Sequence, residues 1–212
     1  MTGIDNMLSQ YIKNILKTQL GKKMTSKIIQ ELDLWYQISL DDAIIQFEKL
    51  DRILTTLYGK NSAKALEKRF LKSIISTSNN DKKDSHYITI TEPQLVQTIL
   101  TIIEDDAFRR IFDTMEKGEF SFEKIVELSG ISLAKPSAYR KMEMLVNTGL
   151  IAETGYTMGS GNRNVKTYKK TFDAIDIKLN HGIINVMMSI SKKTFQNSII
   201  LSTVFRSEEH TS

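Results

Sequence analysis

A chain of 212 residues, 41% hydrophobic and 25% charged, has the composition of an ordinary globular protein and the length of one large domain or two small ones. No apolar run approaches the ~18 residues of a membrane span, no secretory signal opens the chain, and the absence of cysteine excludes disulfides, thiolate nucleophiles, iron–sulfur clusters and Cys-type zinc sites. The net charge of +4 is unevenly placed, with +4 over residues 1–80, −4 over 81–121 and +5 over 135–170, so a polyanion is the partner to expect.

Taken in chain order, Leu8, Tyr11, Ile12, Ile15, Leu16 and Leu20 recur at helical spacing, which predicts an amphipathic helix ending at Gly21. Ile28, Leu32 and Trp35 predict a second. Ser39 is the expected N-cap of a third that turns Leu40, Ile44, Phe47, Leu50, Leu54 and Leu57 inward and ends at Tyr58–Gly59. Leu66, Phe70 and Ile74 mark a fourth, giving a four-helix unit over residues 1–78. The stretch STSNNDKKDS, residues 76–85, has no apolar residue, so a linker is expected across 79–91.

Residues 92–190 are expected to form a second unit. Thr91 and Pro93 start a helix with Leu95, Ile99 and Ile102 inward, and Asp105 recaps the chain for a helix carrying Phe108, Ile111 and Phe112. Phe122 to Ser129 reads as a short helix, Gly130 to Lys135 as a turn, and Pro136 to Thr148 as a longer helix packing Ala138, Met142 and Leu145. The period then changes to two, in 150–157 and 165–172 around a Gly-rich tip, and again in 175–179 and 183–190 around Asn180-His181-Gly182. The fold class expected is mainly α with a small β component.

Helix, short helix, turn, longer helix and hairpin is the order of a winged helix-turn-helix. FEKIVELSGIS, then SAYRKMEMLVNTGLI, within residues 105–172, resembles the winged-helix transcriptional regulators related to the ArsR type in archaea and bacteria. Leu133-Ala134-Lys135 lengthens the turn by about two residues relative to that pattern. The resemblance implies a DNA-binding regulator whose reading helix spans about 136–148 and whose wing spans about 150–172. With Ala138, Met142 and Leu145 inward, Lys135, Ser137, Tyr139, Arg140 and Lys141 are the candidate DNA contacts on the reading helix. Arg163 and Lys166, nearest the wing tip, are the candidate phosphate contacts. Lys169 and Lys170 are equally well explained as solubilising charge.

The N-terminal helices carry a second resemblance. Leu20-Gly21-Lys22-Lys23, Tyr36-Gln37-Ile38-Ser39 with Leu40 and Ala43, and Tyr58-Gly59 with Ala63 are similar to a small helical output domain of archaeal signalling proteins, with Gln37 standing where that family has Gly. It implies a regulatory or dimerising module. Gly159-Ser160-Gly161 lacks the Lys-Ser/Thr and the strand-to-helix setting of a P-loop. Glu104-Asp105-Asp106 reads as helix capping, the three histidines as solvated loop residues, and Trp35 and Met187-Met188 as core. No catalytic constellation, metal site or cofactor site is expected. The expectation is therefore a cytoplasmic homodimer on double-stranded DNA, paired through the amphipathic N-terminal helices. The alternative is a winged helix that docks on a protein in a transcription complex. Segment 191–205 carries no assigned role. The final RSEEHTS, residues 206–212, resembles translated sequencing adapter, so the natural chain is expected to continue past Phe205.

Overall fold

In the computed structural model, which describes residues 2–79, 85–159 and 163–205, the first helix, α1 (Gly3–Tyr36), is interrupted at Gly21, whose φ of 72° and ψ of 171° are non-helical. Glycine reaches that φ without a Cβ clash, so the expected two helices are the two halves of α1. Ile4, Met7, Leu8, Ile12 and Leu16 are buried before the break, Ile28 and Leu32 after it. Trp35, expected in the core, is instead 66% exposed. It sits three residues past Leu32, the last buried residue of α1, and one before the end of the helix at Tyr36.

The expected third helix is divided into α2 (Leu40–Ile45) and α3 (Phe47–Tyr58), parted by Gln46 at φ −97° and ψ 57°. Ser39 caps α2 as expected. Its hydroxyl accepts from the Asp42 N–H while the Asp42 carboxylate accepts from the Ser39 N–H, a reciprocal capping box. Helix α4 (Lys60–Lys72) completes the N-terminal group.

The expected linker requires correction. Ile75–Asn79 is strand β1 and Ser85–Ile90 is strand β2, paired antiparallel with Ile75 opposite Ile90; residues 80–84 lie outside the described residues. Side-chain patterning missed β1 because an edge strand is held by backbone hydrogen bonds and needs few apolar residues of its own. His86, read as a loop residue, lies in β2 and stacks on Phe195 with ring centroids 4.1 Å apart. Beyond β2 come α5 (Pro93–Glu104), α6 (Asp106–Met115), β3 (Phe120–Ser121), α7 (Phe122–Ser129), α8 (Lys135–Asn147), β4 (Ile151–Met158) and β5 (Asn164–Lys170). The chain ends with β6 (Ala174–Asn180), β7 (Ile183–Ser191), α9 (Lys192–Asn197) and α10 (Ile199–Phe205). The protein is mainly α with two antiparallel sheets, ordered β1-β2-β7-β6 and β3-β5-β4. Residues 160–162 at the Gly-rich tip and 206–212 at the C-terminus, with the readings placed on them, lie outside the described residues.

The four-stranded sheet unites the stretch expected as linker with the C-terminal hairpin, and one buried apolar cluster runs from Ile4 to Val204. Its two ends meet at Asp5. This buried carboxylate takes part in the capping box of α1 with Thr2 and also accepts from Ser198 Oγ at 2.6 Å, Ile199 N at 3.2 Å and Ile200 N at 3.1 Å. It thereby satisfies orphan donors at the starts of both α1 and α10. Gly3 lies so close to Thr171 and to the Gly149 carbonyl that no Cβ fits, and Asn6 Nδ2 donates to the Val146 carbonyl at 2.7 Å. The start of α1 is thus locked to the C-terminal end of α8.

Candidate nucleic-acid interface

Helix α6 begins where Asp105 accepts from the Ala107 and Phe108 N–H groups at 2.9 and 3.4 Å, as the sequence predicts. Ser121 caps α7, and Gly130, at φ 60°, ends it in the left-handed conformation that glycine favours. Helix α8 follows with Ala134 at its N-cap, without a side-chain cap bond, and a proline in its first turn. Pro136 has no N–H, and the Ser137 and Ala138 N–H groups donate to the Ala134 carbonyl at 2.9 and 3.1 Å, so the positive end of the helix is what this turn offers an anion, with the Lys135 N–H beside it. Ala138, Met142 and Leu145 face inward, as the spacing predicts.

The expected contact residues divide into three situations. Lys135 and Arg140 are exposed at the start of α8 and make no ion pair among the described residues; Lys135 Nζ sits 5.9 Å from the Tyr139 ring centroid. Ser137 beside them is half-buried. Tyr139 stacks on Phe122 with centroids 3.7 Å apart, and its hydroxyl donates to Glu123 at 3.4 Å. Partial burial first, and Glu123 second, push that phenol up, so Tyr139 offers an edge and not a free hydroxyl. Lys141 is turned away from this surface. Its ammonium pairs with the Asp105 carboxylate and lies 4.3 Å from the Phe108 ring centroid. The Lys141 hydrogen bond, more than the two N–H groups, holds the Asp105 carboxyl below its ordinary value. This lysine joins α8 to α6.

On the hairpin, Arg163 is exposed and its carbonyl accepts from Gly159 N–H at 2.8 Å. Lys166 is exposed but paired with Glu153 at 2.7 Å, a hydrogen bond that raises the ammonium above its ordinary value. Glu153 lies opposite Tyr168, two residues along β5 from Lys166, so the two side chains meet as diagonal neighbours on one face of the hairpin, beside the register shift between Glu153 and Gly155. Lys169 pairs with Glu119 at 3.7 Å, and Lys170 pairs with Glu116 while lying over the Phe172 ring. Of the seven bases between 135 and 170, Lys141, Lys166, Lys169 and Lys170 therefore answer carboxylates. Lys135, Arg140 and Arg163 do not among the described residues.

Tyr168 lies on the hairpin face of Lys166, opposite Phe120 of β3 and Glu153 of β4; burial raises its phenol most, with Glu153 adding to that and Lys166 opposing it. Tyr156 stands opposite Lys166 and is 68% exposed. Sequence reasoning passed over this residue, although parity with Lys166 across the hairpin would have found it. Beside the surface, Phe122, Val126, Leu133 and Ala138 line a shallow cavity of about 310 Å3. A separate cavity of about 600 Å3 opens among the N-terminal helices, lined by Trp35, Tyr36, Arg52, Lys60 and Lys64.

Among the described residues no helix is long and apolar enough to cross a membrane. The chain matches no protein-family model, no curated protein and no solved structure.

Proposed function

We propose that this chain is a cytoplasmic, DNA-binding transcriptional regulator of winged helix-turn-helix type, reading duplex DNA with the N-terminal half of α8 and holding the backbone with the β4–β5 hairpin. The observation that carries the reading is the placement of Lys135, Arg140 and Arg163. The bases that no carboxylate neutralises stand at the start of the third helix of an α6-α7-α8 unit and at the tip of the hairpin after it. In that architecture these are the parts that meet the major groove and the phosphates. The order β3-β5-β4, with β3 lying between α6 and α7 in sequence, supports the same assignment. Arg140 is the candidate for bidentate contact with guanine. The N-terminal helices form the regulatory part, and their 600 Å3 cavity is the place for an effector.

The second reading, a winged helix that docks on protein, is favoured by the apolar cavity between α7 and α8 and by Glu123 and Glu153 within the surface. Selecting bound sequences from random duplex DNA separates the two. A converged motif, with two half-sites related by a two-fold axis, is the expected result. No binding to any duplex at ~0.15 M salt overturns DNA recognition in favour of protein docking.

A further inference from the structure

We propose that β6 is the surface through which two copies of this chain pair, edge to edge about a two-fold axis at Ile177. The apolar stripe on the first half of α1, where sequence reasoning expects pairing, is buried within the protein, with Ile4, Met7, Leu8, Ile12 and Leu16 all at or near 0% exposure, although Ile29, Leu34, Trp35 and Ile45 of the N-terminal helices stay exposed. A second apolar surface, with an open backbone edge beside it, emerges at the far end of the four-stranded sheet. Ile177, Leu179 and Ile184 share one face with Val186 and Met188 by register. Val186 and Met188 are fully buried, whereas Ile177 and Ile184 are 44% and Leu179 71% exposed. A single apolar stripe therefore runs out of the core into solvent.

The backbone edge of β6 is open as well, since β6 is the last strand of its sheet. The β6–β7 loop has two residues, His181 at φ 49° and Gly182 at φ 80°, between the paired residues Asn180 and Ile183. A two-residue loop of this type closes on a pair that exchanges both backbone hydrogen bonds. Counting back by two, Lys178 and Asp176 direct their N–H and C=O groups to β7, and Leu179, Ile177 and Ile175 direct theirs outward. An exposed apolar strand with an open edge is a template for another strand.

The strand is complementary to itself. Antiparallel pairing centred on Ile177 sets that residue against the partner's Ile177, and Ile175 against the partner's Leu179. It also sets Asp176 against the partner's Lys178 and Lys178 against the partner's Asp176. Both opposite-charge pairs lie on the polar face, and the three apolar pairs, Leu179 against the partner's Ile175 included, on the other. The axis could instead fall on a neighbouring residue, but centring it on Asp176 or Lys178 sets like charges against each other, and centring it on Ile175 or Leu179 loses both charge pairs. A lone lysine on an edge strand discourages association; here Asp176 answers it, so the edge favours its own copy over other strands.

The proposal does not rest on DNA recognition, and its test uses the full chain in sedimentation and oxidative cross-linking. The wild type is expected to sediment as a dimer at micromolar concentration. Lys178→Asp or Asp176→Lys alone sets like charges across both pairs and should raise the dimer dissociation constant about tenfold, while the double variant restores it. The chain has no cysteine, so Ile177→Cys provides one thiol per copy at the axis, about 5.5 Å from its mate by Cα and within disulfide reach. It should cross-link under mild oxidation, and Ile184→Cys should not. A monomeric wild type, single reversals without effect, or equal cross-linking of the two cysteine variants overturns the proposal. Loss of DNA binding with dimerisation intact counts against the DNA reading alone.

Discussion

Arg140 and Lys141 are adjacent on α8, yet one faces solvent and the other is folded onto α6. The difference predicts opposite phenotypes. Arg140→Ala should cost about 1–3 kcal/mol of specific binding and relax preference at one base pair, with no change in stability. Lys141→Ala should leave binding nearly unchanged and lower stability by about 1 kcal/mol. That figure is kept small because the pair with Asp105 is partly exposed. Fluorescence anisotropy on specific and random duplexes, with thermal melts of both variants, reads the two effects separately. Gln37 shows the residue scale in the backbone. It ends α1 in the left-handed conformation at φ 53° and ψ 40°, a conformation in which a Cβ is strained. Gln37→Gly should therefore raise stability, by about 1 kcal/mol or less once the added freedom of the unfolded chain is counted. A lower melting temperature would contradict the strain argument.

Where α3, α4 and α10 meet, three elements share one cation. Lys64 donates to Asp51 and to Glu67, both at 2.9 Å, and to the Thr203 carbonyl at 3.0 Å. Burial lowers the Lys64 ammonium, but the hydrogen bonds to Asp51 and Glu67 outweigh it and leave it raised. Glu67 is fully buried, and its second oxygen has no partner. Burial pushes its carboxyl from an ordinary 4.5 to about 7, with Asp51 adding to burial and Lys64 opposing it. Because the folded value lies above the unfolded one, the stabilisation is complete below about pH 4.5 and is lost as pH rises through about 7. Denaturant unfolding across that window should show a fall of about 3 kcal/mol, and Glu67→Gln should flatten it. An unchanged slope in that variant would assign the pH dependence elsewhere. Ala63, Glu67 and Phe70 lie on one helical stripe, so the burial of Glu67 was open to reading from spacing. The same spacing places Lys64 beside it at i,i+3, whereas Asp51 and the Thr203 carbonyl, which reach Lys64 from α3 and α10, were not legible. The same division holds elsewhere. Helix 122–129, the Asp105 cap and the break at Gly21 were legible because local spacing and caps dictate them. Strand β2 and the Lys141–Asp105 pair were not, because each depends on a partner distant in sequence, β7 for the strand and α6 for the lysine, and β1, with few apolar residues, forms against β2.

Over the whole molecule, the acidic stretch and the basic stretch largely answer one another. Asp105 pairs with Lys141, Glu116 with Lys170 and Glu119 with Lys169, so the regional charges visible in the sequence overstate the positive field available to a polyanion. Counting Lys135, Lys141, Arg163 and Lys166 as phosphate contacts would give a dimer about eight and a slope of log K against log[salt] near −7. The pairing removes Lys141, and Arg140 is assigned to a base. That leaves Lys135, Arg163 and Lys166 in each copy, about six contacts and a slope near −5. Lys166 must exchange Glu153 for phosphate, which solvent screening of this exposed pair makes inexpensive. Removing Glu153, by Glu153→Gln, should strengthen binding to all sequences alike without changing the preferred site, since it frees a phosphate contact and touches no base. Titrations between ~0.05 and ~0.3 M salt check both statements. A slope near −7 would return Lys141 to the interface, whereas one shallower than about −2 would leave too few phosphate contacts for DNA recognition and make protein docking the better reading of the same surface.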